Sequence, residues 1–438
     1  MNPFVLALLN LNLSSTLSLW ISIGVVTALV VALITLRSSR PRLSRTLWSL
    51  GGLIIGAFLG SVVVWYITIE QNTFGQPLEP QAEAWAVAAF ALWSFSIVCG
   101  LFLTRWRKLV ALPTLVAIFV MSGIGINGTY GLTPTLADLL HISTQPTLDL
   151  PARSSSAQIA DLGATWVPPA DMPSHGVTGI ISGGIPNSVS GFAARPATIY
   201  LPPAALVKNP PQLPFMVFMM GEPGDPDPRY IASALNAYAS VNHGLAPIVV
   251  VADQLGAPTS DPLCINSNLG NVEDYVMKDV VNWATSHLNI ETNRTMWTIA
   301  GFSNGGGCAA YLGAKYPSVW GNILSVTGVE YAGAGNESQV LHDVFQGNQV
   351  AYDAIKPGSL VASQHYEDTV AVFTAAGNDK KYGPGQQRLS LQASQAGMNV
   401  YFDSLENVGH TRDSLKKGLK WGVGILYPRW GLTVKATP

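Results

Sequence analysis

Thr295-Met296-Trp297-Thr298-Ile299-Ala300 is an apolar run of strand length, and Gly301-Phe302-Ser303-Asn304-Gly305-Gly306-Gly307 follows it without a break. The next stretch, Cys308-Ala309-Ala310-Tyr311-Leu312-Gly313-Ala314, has helical character. A G-x-S-x-G pattern between strand and helix predicts a nucleophile elbow. The serine sits in a sharp turn whose neighbours must lack side chains, so that its hydroxyl projects above the sheet. In a chain with 42 glycines the bare pattern arises readily by chance. Its place between strand and helix, with an acid and a histidine downstream, sets it apart from an ordinary Gly-rich turn.

Around this centre the sequence alternates between short β-rich runs and helical ones. Residues 175–182 and 197–201 read as a leading pair of strands, and 215–220 and 247–252 as apolar strands. A helix is expected around 272–288 and another near 386–395, with further strands at 296–300, 322–326, 370–375 and 399–403. This alternation predicts an α/β domain with a mainly parallel sheet covered by helices on both faces. Together with the elbow it points to the α/β-hydrolase fold, whose catalytic residues follow the chain order Ser, Asp or Glu, His.

The last strands supply that order. The run at 370–375 leads into Gly377-Asn378-Asp379, and the run at 399–403 leads to Glu406-Asn407-Val408-Gly409-His410. Ser303 is the expected nucleophile, His410 the base and Asp379 the acid that fixes the imidazole tautomer. Asp403 and Glu406 lie near the same edge and are alternatives for the acid. The oxyanion hole requires two backbone N–H donors. Asn304, the residue after the nucleophile, is one; the loop Gly221-Glu222-Pro223-Gly224-Asp225 offers Gly221 or Glu222 as the other, because Pro223 has no N–H.

The front of the chain differs in character. Only 11% of all residues are charged, against roughly 25% in soluble proteins, and residues 1–150 carry five acidic and seven basic ones. Four stretches, about 16–36, 47–69, 84–104 and 109–126, have the ~20 apolar residues that a bilayer crossing needs. Arg37, Arg40, Arg42 and Arg45 separate the first pair, and Arg105, Arg107 and Lys108 the last pair. The middle loop carries Glu70, Glu79 and Glu83 and no basic residue. Basic loops stay cytoplasmic. The expected protein is therefore a multi-pass protein of the cell membrane, with residues 1–127 as anchor and 128–167 as linker. Residues 168–438 form its extracytoplasmic catalytic domain. The spans hold no acidic residue or charge pair that would mark a transport path.

Cys264 and Cys308 flank the expected site and would pair as a disulfide in an oxidising compartment; two separate buried thiols are the alternative. No metal-ligand spacing, phosphate-binding loop or cofactor fingerprint is present, so neither a metal nor a cofactor is expected. A net charge of −2 without a basic stripe gives nucleic acid no footing.

Ala197-Thr198-Ile199-Tyr200-Leu201-Pro202-Pro203, the elbow, and Asp261-Pro262-Leu263-Cys264 resemble the esterase D and mycolyltransferase branch of α/β hydrolases. More closely, they resemble membrane-anchored esterase-like proteins of actinobacterial type. The resemblance covers about residues 175–425 and implies catalytic roles for Ser303, Asp379 and His410 by matching position. The branch commonly has Met after the nucleophile, where this chain has Asn304. The backbone N–H is kept, and the wall of the acyl pocket becomes more polar. The expected function is that of a membrane-tethered serine ester hydrolase or acyltransferase acting through an acyl-enzyme on lipid or cell-envelope esters. Mycolyl transfer, a serine peptidase and a non-catalytic membrane scaffold are the alternatives.

Overall fold

A computed structural model of the chain describes residues 2–71, 78–131, 133–151 and 161–434. The Ser-rich part of the expected linker (152–160) and the centre of the acidic loop (72–77) lie outside the described residues. The chain divides into two compact units, Met1–Thr144 and Gln145–Pro438.

The first unit contains four long helices: α1 (Thr16–Thr35), α2 (Arg42–Trp65), α3 (Pro80–Leu101) and α4 (Ala111–Tyr130). Each is long and apolar enough to cross a bilayer, α2 running on through a wide turn to Glu70. Ser15 caps α1 by accepting the Ser18 N–H, and Gly131 closes α4 in the left-handed conformation. The helices α2 and α3 start four or five residues earlier than hydropathy indicates. Pro80 stands at the first position of α3, where its fixed backbone angle suits a helix start, and Pro41 is the residue that precedes α2. Trp20, Ile54, Phe58, Leu112 and Phe119 are exposed on this unit, which suits a lipid environment rather than water. Inside, Gly52, Gly56 and Gly60 recur every fourth residue of α2 against α3. A Cβ at Gly56 would overlap the Phe90 carbonyl, so the small residue is what lets the two helices approach.

The second unit is built on a nine-stranded sheet. Its strands are β1 (Thr147–Leu148), β2 (Val177–Ile181), β3 (Thr198–Leu201), β4 (Phe215–Met219), β5 (Ile248–Ala252), β6 (Trp297–Phe302), β7 (Asn322–Val326), β8 (Val370–Ala376) and β9 (Asn399–Leu405). They lie in the order β1-β2-β3-β5-β4-β6-β7-β8-β9. Only β3 runs against its neighbours; all other pairs are parallel. This is the α/β-hydrolase sheet, with β1 added at its outer edge. Every residue of β4 to β8 is buried, which is why these strands read as unbroken apolar runs rather than alternating ones.

Helices cover both faces. Helix α5 (Asn304–Lys315) brings Gly313 against Ile299 and Ile323, whereas α7 (Arg412–Arg429) brings Gly422 and Gly418 against Leu324 and Val326. Residues 323 and 324 point to opposite sides of a strand, so α5 and α7 must lie on opposite faces. Between them in sequence, α6 (Gly383–Gln395) packs on β8 and β9. The register pairs Met219 with Gly301, Phe302 with Val326, and Ala376 with Leu405. The loops that leave β4, β5, β6, β8 and β9 therefore gather at one edge of the sheet, where parallel α/β sheets carry their sites.

Candidate active site

Strand β6 ends at Phe302 and α5 begins at Asn304, leaving Ser303 alone in the turn with φ 55° and ψ −118°. A non-glycine residue holds such angles only when its surroundings impose them. Here the Ser303 N–H donates to Val326 O (3.0 Å), and its carbonyl accepts from Gly307 (3.0 Å) and Val329 (3.1 Å). The turn is tight enough that a Cβ at Gly301 would overlap the Gly305 carbonyl, and one at Gly305 the Met219 carbonyl.

Ser303 Oγ lies 2.7 Å from His410 Nε2, and His410 Nδ1 lies 2.9 Å from Asp379 Oδ2. Ser303 and His410 are both only 9% exposed. The loops carrying Asp379 and His410 are stitched together: Gly377 N–H donates to Leu405 O (2.8 Å) and Asn378 N–H to Val408 O (3.0 Å). Ala376, Leu405 and Val408 form a small apolar cluster beneath them. Thr411 caps α7 directly after His410, which fixes the backbone on that side. The His410 ring packs between Phe302 and Tyr382, with centroids 5.5 and 5.6 Å away.

The other Asp379 oxygen, Oδ1, accepts from the backbone N–H groups of Lys381 (3.0 Å) and Tyr382 (2.9 Å). Burial works to raise its pKa, but the His410 contact and these two donors outweigh it and hold the carboxyl below the ordinary range. Asp403 pairs with Thr374 within the sheet, and the histidine's Nδ1 partner is Asp379 rather than Asp403 or Glu406.

Gly221 lies against the elbow: a Cβ there would come 3.1 Å from Ser303 Cβ. Among the described residues none accepts a hydrogen bond from the backbone N–H of Gly221, Glu222 or Asn304. Cys264 and Cys308 form a disulfide with Cα atoms 5.5 Å apart. It ties the 261–264 loop to the first turns of α5. Closing a loop of this length is worth about 4 kcal/mol in the chain-entropy treatment. Sequence reasoning assigned no role to Gln254, a 2% exposed residue just past β5 that hydrogen-bonds both Met220 and Asn304. A lone polar residue at the end of an apolar strand carries no motif that would have revealed it.

Two carboxyls stand at the rim. Burial and the neighbouring Asp261 push Glu222 up to about 7. Burial also raises Asp261, against hydrogen bonds from the Leu263 N–H and Asn304 Nδ2. Both residues are nonetheless exposed, so they stand at the surface rather than in the core. A carboxyl whose folded pKa is raised weakens the fold as it ionises. That loss begins above the unfolded value of 4.5 and is complete above about 7. Glu222→Gln should therefore raise Tm at about pH 8, with the gain fading to nothing below about pH 4.5. A gain of equal size at every pH in a scanning-fluorimetry series would contradict the assignment.

No model of a known protein family matches the sequence. A Corynebacterium glutamicum protein of uncharacterised function is 29% identical over 416 residues, which is 91% of this chain and 92% of that one. Among solved structures, an S-formylglutathione hydrolase of Agrobacterium tumefaciens is 15% identical, covers 59% of this chain and 98% of its own, and has a TM-score of 0.48. A ferulic acid esterase is 13% identical with 58% and 98% covered and a TM-score of 0.46. MPT51 of Mycobacterium tuberculosis is 15% identical with 56% and 97% covered and a TM-score of 0.39. At these identities the likeness is one of fold alone.

Proposed function

We propose that the protein is a membrane-tethered serine ester hydrolase, or acyltransferase, that works through an acyl-enzyme on Ser303. The observation that carries this reading is the continuous hydrogen-bonded chain from Ser303 Oγ through His410 to Asp379. In the first half-reaction Ser303 Oγ attacks the ester carbonyl and its proton passes to His410 Nε2. The oxyanion is held by the backbone N–H groups of Asn304 and Gly221, with Glu222 the other candidate on that loop. Collapse breaks the bond to the alcohol, which leaves with the proton from His410. Water, or an acceptor hydroxyl in the transfer reaction, then attacks the acyl-enzyme by the same steps in reverse. Asp379 stays ionised and stabilises the imidazolium formed in each half.

The four apolar helices support tethering, which raises the effective concentration of a membrane-borne substrate without any new contact. Basic residues in the first and third loops and acidic ones in the second favour an extracytoplasmic active site. An ester on a lipid or cell-envelope component is the substrate class that fits. Beside Asn304 lies a recess lined by Leu263, the disulfide, Tyr311, Val329 and Ile355.

Hydrolysis of p-nitrophenyl acetate, butyrate and palmitate by the full chain in detergent tests this. We expect turnover of at least one of these esters, abolished in Ser303→Ala and in His410→Ala. Absence of turnover together with absence of fluorophosphonate labelling would overturn the serine hydrolase itself.

A further inference from the structure

The side-chain amide of Gln254 donates from Nε2 to Met220 O (2.5 Å) and to Asn304 Oδ1 (3.1 Å). Both of its hydrogens are thereby used. A backbone carbonyl can only accept, so the nitrogen must face Met220, and the amide's orientation is fixed. Asn304 then turns its oxygen to Gln254 and its own Nδ2 to Asp261 Oδ1 (3.0 Å). The Leu263 N–H donates to that same Asp261 oxygen (3.0 Å). The polarity of the chain is consistent from end to end. Met220 O also accepts from the Gly305 N–H (3.2 Å).

Met220 O belongs to the same peptide group as the Gly221 N–H. In a planar trans peptide the two point in opposite directions. Donors held on the oxygen therefore determine where the N–H is aimed. Gly221 sits against Ser303 Cβ, and its N–H has no acceptor among the described residues. We infer that Gln254 is a positioning residue of the oxyanion hole. It clamps the Met220–Gly221 peptide so that the Gly221 N–H is presented to the oxygen of the tetrahedral intermediate. The inference rests on the reading of Ser303 as nucleophile. It adds that the Gly305 N–H alone does not hold the loop after β4 in its catalytic orientation, and that Gln254, two residues past β5, completes the hold. Gln254 touches no reacting atom; it acts through one peptide group.

The test is Gln254→Met in the full chain in detergent, a change that keeps the length of the side chain and removes both donors. Loss of an oxyanion donor lowers kcat by about 10²–10³-fold, so a donor held by the Gly305 N–H alone should cost less, roughly 10-fold in kcat, with KM within about 3-fold. A trifluoromethyl ketone, which forms the tetrahedral adduct, should lose affinity by the same factor. Fluorophosphonate should still label one serine per chain at completion. A role confined to stability would lower labelled sites and kcat together, leaving the rate per labelled site unchanged, and that result would overturn the proposal. So would a kcat within about 3-fold of wild type. Gln254→Glu is the second variant should the methionine form not fold. Ionised, it cannot donate and repels both acceptors, and the same split between kcat and KM is expected. Loss of Ser303-dependent turnover in the wild type, by contrast, would remove the underlying reading and the clamp with it.

Discussion

Ser303→Ala in the full chain is expected to lower kcat for p-nitrophenyl acetate by on the order of 10⁶-fold, as removal of the nucleophile does in Ser-His-Asp hydrolases. The size of the effect follows from what remains. Without Oγ no acyl-enzyme forms, and only binding and the oxyanion donors act on a water molecule. His410→Ala should fall to a similar level, because the two residues work as one unit. The double variant should then be no worse than either single one. Fluorophosphonate labelling should vanish in Ser303→Ala. The fold should survive, since the elbow is held through the backbone of Ser303 rather than its hydroxyl. Steady-state turnover above about 1% of wild type in Ser303→Ala would place the chemistry elsewhere.

Asp379→Asn is expected to lower kcat by about 10⁴-fold while leaving KM nearly unchanged. The backbone around residue 379 dictates the reason. Oδ1 accepts from two backbone N–H groups, so an asparagine must keep its oxygen there. Its amide nitrogen then faces His410 Nδ1 and donates to it. That holds the proton of neutral His410 on Nε2, where it cannot accept one from Ser303. The same substitution carries a pH signature. Because the folded Asp379 carboxyl lies below its ordinary range, its ionised form stabilises the fold above the unfolded pKa, and this contribution is lost as pH falls through the folded value. Asp379→Asn should therefore have a lower Tm than wild type at neutral pH, and the two should converge in acid. Equal activity of Asp379→Asn and wild type would point to Asp403 or Glu406 as the working acid.

Much of this architecture could be read from residue order because each piece has a local cause. The elbow needs glycines at fixed offsets, buried parallel strands need unbroken apolar runs, and helices able to cross a bilayer need length. The parts that stayed hidden depend on tertiary placement. Thr147–Leu148 joins the sheet as a two-residue edge strand within a Thr- and Pro-rich stretch whose composition speaks only of a linker. The helix expected over 272–288 contains a wide turn at Tyr275–Val280 that no propensity marks. Asp379, Asp403 and Glu406 all lie at the ends of strands, so sequence position alone ranks them weakly. The register of β8 against β9, together with the backbone donors at 381 and 382, is what turns Asp379 toward His410. Gln254 is the strongest example. Its meaning lies in a peptide group 34 positions away, which only the adjacency of β4 and β5 brings within reach.

The proposed mechanism requires Ser303 as the nucleophile, and the most direct test is to locate the covalent adduct. The full chain in detergent would be treated with a fluorophosphonate, reduced, digested with trypsin and analysed by mass spectrometry. The modification is expected on Ser303 within the peptide 295–315, at one adduct per chain, and absent after prior incubation with a slowly deacylating ester. An active protein that carries the adduct on another residue, or none at all, would contradict the mechanism proposed for this site.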